Sequence, residues 1–297
     1  MIHVGKQWIA RGLALCVVGP ICAGIGSGVI APDGSQQTTL LTGDAILSSL
    51  MSLFMVLGLV MLLGIAVGRL VDRREGILGM AFVLGWVAWT SGRMGEVFRV
   101  SAESGALMKL AVEGALVTMG VLIALFLMTD PEKGGAQGQG DDVSRFDMSS
   151  LKSSMMGVAG LGSMGAALVA SIVIAMLFGR TDLAGQAVGV GFFAGIAAGV
   201  VGTLVATSAK KNDPKAGPTP FAPIMVGVML CSVILPIFGM FYPGGSELLG
   251  LVNQGSLPGI LTVSPIAWVM GALLGVPVGH SWVEHSAQQA SGAGARA

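Results

Sequence analysis

Of the chain's 297 residues, 53% are hydrophobic and only 11% charged, and its mean hydropathy is +0.81. An ordinary soluble domain carries roughly 25% charged residues, so this chain lacks the polar surface to face water on all sides and reads as an integral membrane protein. Sixteen basic and 16 acidic residues cancel to a formal net charge of zero, which removes any global attraction to nucleic acid or another polyanion.

At the N-terminus, Lys6 and Arg11 precede an apolar run from Leu13 to Ile30. That charge order resembles a secretory leader, but the run is long for one and no small-residue cleavage pattern follows, so an uncleaved first span at 13–30 is expected. Cys16 and Cys22 fall within it, roughly 9 Å apart along one helix and beyond disulfide reach. With Cys231 they read as small apolar residues.

Apolar stretches near 20 residues, the length that crosses roughly 30 Å of hydrocarbon, continue at 45–67, 77–97, 110–128, 155–179, 183–207, 221–242 and 260–279. They are too long, and too continuous, for barrel strands, so the expected fold is an all-α polytopic membrane bundle of about eight transmembrane helices. Twelve of the 16 basic residues then fall on one side; Arg93, Arg99, Lys109 and Arg180 occupy the other. The positive-inside rule puts both termini in the cytoplasm, and the membrane is taken to be a bacterial cytoplasmic one. Residues 1–128 are expected as an N-terminal four-helix half, 129–154 as a flexible Gly/Gln-rich cytoplasmic linker, 155–280 as a C-terminal four-helix half and 281–297 as a cytoplasmic tail.

The uncharged part of the third span, Ile77 to Gly92, is about 24 Å of helix and too short to cross alone. Arg93 and Glu96 are therefore expected at the outer boundary. Arg93, Glu96, Arg99 and Glu103 follow at helical spacing with both signs represented, and Lys109 and Glu113 form a further i,i+4 pair across the next turn. Ionisable groups near membrane depth are costly and mark functional sites by default, so this outer cluster is the candidate contact for a partner or solute.

The sixth span carries Gly191, Gly195 and Gly199 at spacing four, and the fifth carries Ala159, Ser163, Ala167 and Ser171 on one face. Such faces let two backbones approach, which predicts a tight hairpin of the fifth and sixth spans through the turn at 180–182. Pro236, in the middle of the seventh span, withholds the N–H that the Ser232 carbonyl would accept and predicts a kink. The segment from Tyr242 to Val263 is expected to form a re-entrant or interfacial turn.

Catalysis has little to work with. His280, Glu284 and His285 spell H-x-x-x-E-H, one residue longer than the H-x-x-E-H protease pattern, and only His280 and Glu284 share a helix face, so no metal site is expected. No cofactor motif or nucleophile–base pair is visible in the spans. The reading that follows is a non-catalytic multi-pass protein in the lipid bilayer, a subunit or scaffold that meets a protein partner or its own copy and binds no nucleic acid. A channel or transporter for a small solute is the alternative, and a membrane-embedded enzyme the third.

Overall fold

The computed structural model describes residues 2–36, 38–101, 105–128, 157–181, 183–212, 221–242 and 245–294. The expected linker lies outside these residues, as does Glu103. The helices are α1 (Ile2–Leu13), α2 (Gly19–Ser27), α3 (Ile46–Leu70), α4 (Arg73–Thr90), α5 (Met94–Ser101), α6 (Ala106–Leu127), α7 (Val158–Phe178), α8 (Ala184–Asn212), α9 (Phe221–Phe241), α10 (Gly245–Asn253) and α11 (Pro265–Gly294). Among the described residues seven helical stretches are long and apolar enough to cross a membrane, and α4 with α5, bent by 54°, makes an eighth if the pair is one broken span. Among the described residues there is no strand. The fold is thus an all-α polytopic bundle.

The first passage starts earlier than its apolar run, because α1 and α2 are joined by a π-turn (Ala14–Val18) into one rod. Pro20 accounts for the turn's chemistry. In π register the Gly19 N–H bonds to the Ala14 carbonyl, and the next carbonyl, Leu15, would need the N–H that proline lacks. The indole of Trp86 on α4 donates to Leu15 instead, at 2.9 Å. Arg11 is accommodated inside the rod by a two-pronged pair with Glu75 of α4, at 2.8 Å and 2.5 Å. Its guanidinium also lies 5.4 Å from the Trp8 ring centre. Glu75 is buried in the first turn of α4 by this pairing.

Both halves share one core, since α6 packs along α9 and α4 along α11. At one end of the bundle, Arg69 of α3 donates to the Leu127 carbonyl of α6 at 3.0 and 2.7 Å, a cation on a helix C-terminus. Trp8 and Trp282 are exposed at that end, and Trp89 and Tyr242 at the other, the positions interfacial aromatics take. The end carrying Arg93 and Lys109 is called the outer end below. Helix α11 continues to Gly294, so residues 281–294 of the expected tail are helical.

The glycine face of α8 has a different neighbour from the one expected. A Cβ at Gly191 or Gly195 would overlap the carbonyl oxygen of Ala267 or Gly271 on α11, and one at Gly199 would lie 2.6 Å from that of Val276. Gly271, Gly275 and Gly279 meet α8 carbonyls in return. The expected α7–α8 hairpin does pack, but the buried α7 face that includes Ser163, Ala167 and Ser171 turns to α9. There a Cβ at Gly227 would overlap the Met164 carbonyl and lie 3.1 Å from Ala167. Ala159 is half-buried near the start of α7.

Candidate functional site

Helix α4 ends at Thr90, and the chain turns away at the next two residues. The Ser91 hydroxyl and N–H both donate to the Val87 carbonyl, at 2.7 and 2.9 Å, and Ser91 itself is extended at φ −64° and ψ 154°. Gly92 then leaves the helical ladder and donates its N–H to the Thr38 carbonyl at 2.8 Å. The helix expected to continue past Gly92 is therefore two pieces, with Arg93 at the start of the second, where its carbonyl accepts from the Val97 N–H at 2.9 Å. Helix α5 buries Met94, Val97 and Phe98. It presents outward a Glu96–Arg99 pair at 2.8 Å, with the side chains 31% and 48% exposed.

The connection between α2 and α3 turns back into the outer end of the bundle. Thr38, Thr39, Leu40, Leu41, Thr42 and Gly43 are all buried, although none is helical. Irregular backbone at such a place needs its own hydrogen bonds, and threonines supply them. The Thr38 and Thr42 hydroxyls are 2.8 Å apart, and the Thr39 N–H donates to the Thr42 hydroxyl, also at 2.8 Å. At the neighbouring turn, which is exposed, the Ser35 hydroxyl and N–H donate to Asp33 and hold its carboxyl below the ordinary range.

Glu113 of α6 is the ionisable group beneath this loop, with 0% of its surface exposed. It lies seven residues past the helix start, roughly 10 Å along the axis at 1.5 Å per residue. Its Oε2 accepts from the Thr39 hydroxyl at 2.7 Å and from the Leu41 N–H at 2.8 Å. Its Oε1 is buried without a hydrogen-bond partner. The expected Lys109–Glu113 pair does not form: the carboxylate takes its bonds from the loop, and Lys109 is half-buried one turn nearer the surface. A long amine gains more from keeping its head in water than from following a carboxylate inward.

The residue after Glu113 meets the kinked helix. Pro236 stands inside α9, and the freed Ser232 carbonyl rests against Gly114, where any Cβ would overlap it. The Ser232 hydroxyl donates to Met229 at 2.6 Å and lies 3.3 Å from that of Thr118. Beside the kink, Phe98, Leu107, Leu110 and Leu261 border an apolar void of about 10 Å³, small and dry by its lining. The segment after α9 forms α10 and a 3₁₀ turn (Gly259–Leu261). Leu248, Val252, Ile260 and Leu261 are buried there, and α10 packs on α5.

At the opposite end, His280 is buried within α11 rather than lying at the edge of a tail. Its Nδ1 is 2.8 Å from the Thr203 hydroxyl of α8, and its Nε2 is 3.1 Å from Glu284. Phe221 of α9 meets the imidazole edge-on at 5.4 Å. His285 is not part of this cluster. Among the described residues no three His, Cys, Asp or Glu side chains converge as a metal site would need.

Sequence reading singled out Glu113 but missed its partners Thr39 and Leu41, and with them Thr38 and Thr42. The available signal was the run Thr38-Thr39-Leu40-Leu41-Thr42: two leucines between hydroxyls in a short connection that has no other reason to be apolar.

Fold and site together define a multi-pass helical membrane protein whose outer end is closed by an irregular loop over a buried acid. No protein-family model, characterised protein or solved structure matches the chain.

Proposed function

We propose that this chain moves a small solute across the membrane, the second of the roles expected from sequence. One observation carries the reading: residues 38–43 are non-helical, buried, and tied both to the α4–α5 break and to Glu113. Irregular backbone inside a membrane bundle is tolerated where protein buries it or where it lines a path, and broken helices are where many transporters place their sites. The Pro236 kink abutting Gly114 supports the same reading, because it joins α9 to the helix that bears the acid. The outer cap is the gate in this account, and the α8–α11 pair is the frame.

The scaffold role draws its support from α5, whose exposed Glu96–Arg99 pair offers a charged contact to a partner. It requires a static cap. The twelve-to-four distribution of basic residues supports cytoplasmic termini and a cytoplasmic membrane for either role.

Opening of the cap separates the two. With Cys16, Cys22 and Cys231 replaced by alanine, Leu41→Cys should react with a membrane-impermeant maleimide slowly but to completion, while Ser35→Cys reacts at once. Leu41→Cys that stays unlabelled, in protein that purifies as a stable hetero-complex, returns the scaffold role.

A further inference from the structure

We propose that Glu113 is a proton-binding site, holding a proton on Oε1 while the cap is closed and exchanging it with water when the cap opens. The place of this step in a cycle rests on the transport reading; the binding itself does not.

The warrant is the geometry of one carboxyl group. Oε2 is occupied by two neutral donors, the Thr39 hydroxyl and the Leu41 N–H, and Oε1 is buried without a partner. No described cationic side chain bonds to either oxygen. On α6 itself Lys109 stands one turn outward, half-buried. The loop's acids, Asp33 and Asp44, are exposed. On α5, Glu96 closes on Arg99, and Arg93 is exposed at the break before it. From α3 the one ionisable residue is Arg69, which holds the Leu127 carbonyl at the far end. Helix α9 carries no charged residue, and the buried His280 of α11 also belongs to the far end.

An ionised Glu113 would thus be a fully buried charge with no counter-charge bonded to it, a heavy penalty in a bundle surrounded by lipid. A metal cation would need several lone pairs converging on it, yet Thr39 and Leu41 turn hydrogens toward the carboxyl. A proton needs one oxygen. The neutral acid uses Oε2 as a doubly bonded acceptor and Oε1 as its hydroxyl, leaving only one O–H without a partner. The proton comes from water and returns to water, and no other bond changes. Because the donors to Oε2 belong to the loop, lifting the loop removes them and admits solvent to Oε1 in the same movement.

The test is pH-difference infrared spectroscopy of the full chain in lipid nanodiscs. The wild type should show a protonated-carboxyl C=O band that titrates and is absent from Glu113→Gln. That variant mimics the neutral acid in shape and retains an oxygen for both donors, so it should fold. Thr39→Val, which removes one donor from the C=O, should keep the band and raise its frequency. A spectrum unchanged in Glu113→Gln overturns the proposal. So does a band abolished by sodium chloride at constant pH but not by choline chloride, which would give the site to a metal cation. A band that persists while Leu41→Cys never labels upholds proton binding and removes the transport reading; labelling without the band does the reverse.

Discussion

Along the α8–α11 seam, carbonyls of one helix rest on the α-carbons of glycines in the other, with no side chain between them. At the outer cap, threonine hydroxyls, a loop N–H and one carboxyl group hold backbone that has no helical ladder of its own. The seam gains dispersion over a long contact and contains nothing that water or a proton can trade for. The cap is held by a few directional bonds whose worth depends on the state of one acid. A bundle built this way has a rigid side and a conditional side. Regions that open are drawn from the low-stability end of a structure.

The largest effect should come from bulk in the seam. Gly195→Leu drives a side chain into the Gly271 carbonyl, so it should abolish monodisperse protein on detergent extraction. Gly195→Ala should cost about 1–3 kcal/mol or more, as overpacking does. Gly165→Leu, at an exposed glycine with open space where a Cβ would stand, should be tolerated; equal damage at both positions would remove the distinction between seam and lipid face.

Changes at the cap come next. Glu113→Leu leaves the Leu41 N–H without its acceptor, about 1–3 kcal/mol for a buried group, and leaves the Thr39 hydroxyl only its longer contact to Thr42 at 3.2 Å, read as a fall in thermal midpoint. Exchanging charges, Lys109→Glu with Glu113→Lys, should fail to restore folding, because the two do not pair; recovery would show that they do. Arg11→Ala leaves the buried Glu75 carboxylate without its cation, so the thermal midpoint should fall by less than in Glu113→Leu, because Arg11 itself is partly open to solvent. Arg99→Ala should cost less than about 0.5 kcal/mol, since its pair with Glu96 is open to solvent. A much larger loss there would mean that α5 is covered in the membrane.

How far each region was legible follows from the same contrast. Helical passages announce themselves by apolar length, and the α8 stripe by spacing four, because both are periodic in sequence. Gly271, Gly275 and Gly279 had that spacing too, but which stripe meets which is decided by the arrangement of whole helices, not by any local pattern. Glu113 stood out as an acid inside a span. Its bonding was not legible, because a loop that folds back has no period, and i,i+4 spacing offered Lys109 as the apparent partner. The break after Thr90 turned on Gly92 leaving the helical ladder for the carbonyl of Thr38, a partner more than 50 residues away in sequence. Arg11 and Lys6 shifted the first boundary because Glu75, distant in sequence, made a charge in the rod acceptable.

Hydrogen–deuterium exchange in nanodiscs tests the division into frame and gate most directly, by comparing the amides of Leu41 and Gly92 with those of residues 191–199 and 271–279. The account predicts that Leu41 and Gly92 exchange orders of magnitude faster, by opening of the cap alone, while the seam stays protected up to global unfolding. Equal protection of the two regions would contradict it, and would leave the outer loop as a fixed part of a static bundle.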